Sequence, residues 1–223
     1  MDVRPILLSF QTAIIAILFT FILGTGVAYI VFRLKNRKLK ILLNSLFTLP
    51  LVLPPTVFGF FLLTIFGVQQ PVGQFLLDFF AIQVVFSWPA TVIAAVAVSF
   101  PLMYRSALTA FEQMDSELLA VAQTLGFSES RYFRKSALPL SMNGLLAGGV
   151  LAFARGLGEF GATTMLAGNI AGKTRTLPLA IYSAVASGDW RLANQYVVIM
   201  LLLCLIILFF TEFFSQRAWR RSE

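Results

Sequence analysis

From Ile6 to Phe32 the chain runs for about 27 residues without a single charge. A helix needs only about 20 predominantly apolar residues to cross the roughly 30 Å hydrocarbon core of a bilayer. The apolar core of a secretory signal is shorter, about 7–15 residues, and follows a basic stretch. Here the basic cluster comes after the run, so the segment reads as a retained transmembrane helix. Gly24 and Gly26 within it suit either close helix contact or a plain lipid-facing surface. Composition agrees: the 223 residues are 58% hydrophobic and 12% charged, with mean hydropathy +0.85 and 23 Phe. Soluble domains are about 45–50% apolar and about 25% charged, so lipid must take up the excess.

The remaining chain repeats this pattern with breaks. Arg33, Lys35, Arg37, Lys38 and Lys40 form a dense basic loop. By the bias of Lys and Arg toward the cytoplasmic side, it lies inside and the amino terminus outside. A second span is expected from about Ile41 to Phe66, interrupted by Pro50, Pro54 and Pro55. Each proline frees a carbonyl, and membrane tolerates this only where protein or a water-filled cavity satisfies it. The span is therefore expected to face the interior of an assembly, with a structural kink as the plainer alternative. Gly67 to Val84 carries no Lys or Arg, as an outer loop should. Its Phe75, Leu76, Leu77, Phe79 and Phe80 predict a short interfacial helix. A third span is expected from about Val85 to Met103, with Pro101 interrupting its inner end.

One long polar interruption follows, Asp115 to Pro139. Asp115 or Ser116 can cap a helix entered at Glu117. Leu118, Ala122 and Leu125 fall at i, i+4 and i+7 and make one apolar stripe. Gly126 suits the left-handed position that ends such a helix, and Ser128 caps a second segment bearing Arg131, Arg134 and Lys135. A fourth span is expected from about Leu140 to Leu157. It contains Gly144 and Gly148 at small-residue packing spacing. Arg155 and Glu159 lie one turn apart near its outer end, as a functional pair or an interfacial ion pair. The stretch from Phe160 to Gln195 reads as an outer loop. Its apolar part, Leu177 to Ala186, is too short to span and is expected to be re-entrant or superficial. The alternative is a tilted extra span. A last span, about Tyr196 to Phe214, ends in Arg217, Arg220 and Arg221. The reading is all-α integral membrane with about five transmembrane helices, the amino terminus outside, and a cytoplasmic helix–turn–helix between spans three and four. It puts 12 of the 17 basic residues inside, and treats residues 1–223 as a single domain with its insert at 115–139.

Several chemistries drop out. The chain has no His and one Cys, so neither a Ser–His dyad nor a Cys/His zinc site is available from it. Cys204 sits in an apolar run as a small hydrophobe. The net charge of +7 clusters beside apolar spans, which points to topology and lipid headgroups rather than nucleic acid. Gly168 to Thr174 imitates a nucleotide loop, but has three residues between its glycines where the Walker pattern has four. A flexible turn accounts for it.

The segment LLAVAQTLGFSESRYFRKSALPLS resembles the cytoplasmic loop of binding-protein-dependent ABC importer permeases. That family's pattern is a Glu-Ala-Ala triplet, a Gly shortly after, and an Ile-x-Leu-Pro ending. Ala122, Gly126, Leu138 and Pro139 stand in the matching places. Leu119, Val121 and Ala137 depart from it, and Glu117 is out of register. LPLVLPPTVFGF, LAFARGLGEFGATTMLAGNI and KTRTLPLAIYSA are similar to the molybdate and sulfate group within that family. The resemblance implies a homodimer of permease subunits in the bacterial inner (plasma) membrane, two cytoplasmic ATPase subunits carrying ATP and Mg, and an external binding protein that delivers an oxyanion. No cofactor is implied for this chain. The resemblance implies molybdate as the oxyanion, with sulfate, thiosulfate or tungstate as the alternative cargo. Ser116, Glu117, Leu118, Ala122, Leu125, Gly126 and Pro139 are expected to couple to the ATPase. Pro54, Pro55, Arg155, Glu159, Thr163, Thr164 and Asn169 are the candidates for pathway or gate, since an oxyanion wants N–H groups, hydroxyls and modest positive charge. A membrane enzyme is the first rival and lacks a base. A self-sufficient secondary transporter is the second, and lacks the repeats and midplane charges common there.

Overall fold

The computed structural model describes residues 1–115, 124 and 126–219, with side chains through 209. The elements, in order, are α1 (Arg4–Arg33), α2 (Arg37–Val52), α3 (Pro55–Phe66), α4 (Pro71–Phe80), α5 (Trp88–Glu112), α6 (Glu129–Leu140), α7 (Met142–Leu157), α8 (Gly161–Ala167), α9 (Leu177–Ala186) and α10 (Trp190–Trp219). Proline mostly opens these helices: Pro5, Pro55, Pro71, Pro89 and Pro178 sit in first turns, where the missing N–H has no intrahelical partner anyway. Asn36 caps α2 by accepting from the N–H groups of Lys38 at 3.0 Å and Leu39 at 3.2 Å.

α5 is the central element. It packs on α1 and α7 and buries Tyr104, Met103, Ala107, Leu108 and Phe111 among Ala28, Val31, Leu145 and Ala152. Side-chain register gives the helix directions. Thr12 meets Thr91 through their hydroxyls at 3.0 Å, and Thr20 meets Ser99 at 3.1 Å, both pairs 79 residues apart. α1 and α5 therefore run parallel. α2 runs against α5, as Lys40–Glu112, Asn44–Tyr104 and Phe47–Phe100 contacts show. So does α7, with Gly144 against Ala110, Gly148 against Ser106 and Gly156 against Ala95. α10 starts beside the beginning of α1, where Tyr196 Oη donates to Asp2 O at 2.9 Å.

Among the described residues, three helices are long and apolar enough to cross a membrane: Arg4–Arg33, Trp88–Glu112 and Trp190–Phe209. The number reaches five if α2–α3 and α6–α7 each count as one span. The expected second span is therefore no simple kinked helix. α2 and α3 meet at 113°, because Pro54 and Pro55 in succession remove two N–H donors and Pro50 removes a third within the last turn of α2. The third span runs on past its expected end. Pro101 lies inside α5 and is buried, and Tyr104, one residue past the expected end, is core. Packing against α1 and α7 offsets the one hydrogen bond that Pro101 forfeits. α10 starts six residues before the expected Tyr196, where Asp189 Oδ1 accepts from Leu192 N at 3.0 Å. Gly24 does mark a close approach, since a Cβ there would lie 2.7 Å from Met103 Cγ, whereas Gly26 has nothing within 4 Å. α4 forms as expected, with Phe75, Phe79 and Phe80 exposed. α9, with 10 residues, is about 15 Å long and too short to span.

Candidate functional site

The polar segment begins and ends at the end of the bundle where α1 finishes and α2 starts, which is also where the basic loop lies. Ser116, Glu117, Leu118, Ala122 and Leu125 lie outside the described residues. Gly126 has φ +71°, the left-handed conformation that a side chain makes costly. Ser128 caps α6 by accepting from Arg131 N at 3.4 Å, and Arg131 lies 5.7 Å over the Phe127 ring. α6 contains a π-type turn at Phe133–Ala137 and carries Pro139 near its end. It then bends 73° into α7 at Ser141, whose hydroxyl donates to Ala110 O at 3.3 Å.

The residues that seat this segment were not among those singled out from the sequence. Tyr132 is 3% exposed and Ala137 is fully buried. Phe133 meets Tyr29 and Phe111, and Glu129 pairs with Arg33. The available signal was Tyr29, Phe32 and Arg33 at i, i+3 and i+4 on the last turns of α1. It is indistinguishable in sequence from the aromatic belt of any span.

The proposed pathway residues gather at the opposite end, around α8. Gly59 and Gly161 let α3 and α8 touch backbone to backbone. A Cβ on Gly59 would lie 2.7 Å from Ala162 Cα, and one on Gly161 would lie 2.9 Å from Pro55 Cβ and 3.1 Å from Thr56 N. Pro54 immediately precedes that contact. Glu159, its side chain 2% exposed, is held from two sides. Arg155 Nη1 donates to Oε2 at 2.7 Å, and Ala162 N donates to Oε1 at 2.7 Å. The pair therefore fixes the entry to α8, and little positive charge is left over for an anion. Thr163 is buried, and Thr164 donates to Phe160 O at 2.6 Å. Asn169 accepts from Arg175 Nε at 2.8 Å and donates to Ser183 Oγ at 2.7 Å, tying the turn to α9.

The nucleotide-loop look-alike is a closed turn. Ile170 O accepts from the N–H groups of Lys173, Thr174 and Arg175 at 2.9–3.1 Å, and Thr174 Oγ1 accepts from Ile170 N at 3.0 Å. Those donors face into the turn and are spent on it. α9 is anchored by Leu177 N donating to Ser9 Oγ at 2.7 Å.

The chain matches, over residues 16–220, the family described as binding-protein-dependent transport system inner membrane component. It is 45% identical over 208 residues to YvgM of Bacillus subtilis (strain 168), whose name is that of a molybdenum transport system permease protein; the match covers 93% of this chain and 91% of that one. It is 40% identical over 222 residues to the molybdenum transport system permease protein ModB of Haemophilus influenzae, covering 99% and 96%. It is 35% identical over 209 residues to the sulfate transport system permease protein CysT of Salmonella typhimurium, covering 94% and 75%. Its fold is similar to that of a bacterial ABC transporter involved in alginate import, with TM-score 0.78 at 14% identity over 96% of this chain and 79% of that one. The register of helices around α5, the polar segment seated at the basic end and these likenesses agree: the chain belongs to the family of inner membrane components of binding-protein-dependent transport systems.

Proposed function

We propose that this chain is the permease subunit of an ATP-driven importer of molybdate, and that residues 1–223 act as a single transmembrane domain. Two copies form the conduit, two cytoplasmic ATPase subunits drive it, and an external binding protein loads it. ATP and Mg stay on the ATPase, and the permease carries no cofactor. One observation carries the reading of mechanism. The polar segment returns through Gly126 and α6 to the same end of the bundle as the basic residues Arg33 to Lys40, which by charge bias is the cytoplasmic end. A partner that hydrolyses ATP can reach a segment placed there. Names borne by relatives such as ModB and YvgM support molybdate as cargo.

The broken backbone supports the dimer. No residue of α2 is buried in the single chain, and Val52, at the break, is 83% exposed. The carbonyls freed by Pro50, Pro54 and Pro55 cannot face lipid unsatisfied. A second copy across α2 and α3, with a wet path between, covers them.

The test is reconstitution of the permease with its ATPase and binding protein in liposomes. Molybdate uptake is expected only when all three and ATP are present. Gly126→Val is expected to insert and assemble normally while ATP hydrolysis continues without uptake, because a β-branched residue resists φ +71°. Uptake without ATP would instead indicate a secondary transporter. The sulfate reading is favoured by the CysT likeness, and it predicts that excess sulfate competes with molybdate uptake.

A further inference from the structure

The return limb of the polar segment is joined to the bundle by side chains as well as by the chain itself. Tyr29 lies 4.5 Å from Phe133 and 5.5 Å from Phe111, ring centre to ring centre. Phe32 lies 6.0 Å from Phe111, and Phe111 lies 6.5 Å from Phe133. All four separations fall within the roughly 4.5–7 Å range in which aromatic pairs attract one another. Tyr132, Phe111 and Ala137 are buried in the same cluster. The Arg33–Glu129 pair closes its rim, with the Glu129 side chain 71% exposed. An ion pair that open contributes little, so the rings carry the junction.

The backbone route is softer. Past Leu140 the chain turns by 73° at Ser141, so a push along α6 does not run down the axis of α7. α1 and α5, by contrast, are each a single long helix and are locked to each other by the Gly24–Met103 approach and two hydroxyl pairs. Close-packed rings transmit displacement because packed interiors are not continuously deformable.

We propose that this aromatic socket is the joint through which movement of the polar segment is passed to α1 and α5, and that it stays closed throughout the transport cycle. Tyr29, Phe32, Phe111, Tyr132 and Phe133 are then positioning residues for coupling. They touch neither cargo nor ATP. The inference rests on the reading of residues 115–139 as a partner-driven segment.

The test uses the complete reconstituted transporter and reads molybdate taken up per ATP hydrolysed. Phe133→Ala is expected to lower that ratio about tenfold, in the range known for residues that carry coupling between sites, while ATP turnover and co-purification of the ATPase persist. Phe133→Leu, which refills most of the socket, is expected to keep most of the ratio. In a Cys204→Ser background, Arg33→Cys with Glu129→Cys joined by a short bismaleimide is expected to transport nearly as well as the unlinked pair. Arrest of uptake by that cross-link shows that the joint opens and overturns the proposal, as does an unchanged ratio in Phe133→Ala. Should Phe133→Ala fail to assemble, the cross-link alone decides. Uncoupling by Gly126→Val but not by Phe133→Ala removes the joint and leaves the driven segment standing. No effect of either removes the driven segment as well.

Discussion

Glu159, singled out as a pathway candidate, is also a residue that the fold itself holds in place. A carboxylate beside an arginine in an apolar chain is a candidate for transport chemistry. Here both its oxygens are occupied, by Arg155 and by the N–H of Ala162, and its side chain is 2% exposed. The Arg155 side chain is 31% exposed, so the two partners are not equivalent. Removing Arg155 strands a buried charge, whereas removing the Glu159 charge leaves a cation that can reach solvent. Arg155→Ala is therefore expected to cost about 3 kcal/mol, near the lower end for breaking a buried pair. Glu159→Gln, which can still accept from Ala162, is expected to cost only about 1 kcal/mol. Thermal midpoints of the purified permease in detergent measure both, and equal costs would contradict the asymmetry.

Among the elements, α1 and α5 set the frame. Small residues and hydroxyls line their contact: Thr12, Ala16, Thr20 and Gly24 on one side, Thr91, Ala95 and Ser99 on the other. Lipid supplies no hydrophobic drive for two helices to associate, so close approach and hydrogen bonds between hydroxyls hold them. Thr20→Val and Ser99→Ala are expected to show a coupling of about 0.6 kcal/mol in a double-mutant cycle, the average for such pairs in a membrane protein. Stabilities from unfolding in mixed micelles give the four corners of the cycle. Additive costs would mean the 3.1 Å contact contributes nothing of its own.

Over the whole molecule, the alternating helix directions gather the basic loop and α6 at one end. α1 and α5 run one way, α2 and α7 the other, and the basic loop lies at the α6 end. If that end is cytoplasmic, a cysteine replacing Ser187, just past α9, is labelled by an impermeant maleimide from outside intact cells. A cysteine replacing Arg134 on α6 is labelled only after the cells are opened. Both substitutions are made in Cys204→Ser. The reverse pattern would invert the chain and put the polar segment out of reach of any ATPase.

Much of this was legible in the residues alone. Length of apolar run, the position of Lys and Arg and the punctuation by proline are local or one-dimensional signals. They were enough to show an all-helical membrane chain, a short helix at Pro71–Phe80, the cap at Ser128 and the left-handed Gly126. What depends on which residues meet was not legible. Sequence shows that Pro50, Pro54 and Pro55 break a helix, but not that the halves meet at 113°. Pro101 reads as the same kind of break, yet packing on two neighbours carries α5 through it. The nucleotide-like turn at Gly168 and the ion pair at Glu159 spend their donors and acceptors on neighbours that only the folded chain brings near. The aromatic socket joins residues about a hundred positions apart, Tyr29 and Phe133. A bilayer dictates how long and how greasy each segment must be. Close packing between segments decides which of their side chains are left free to act.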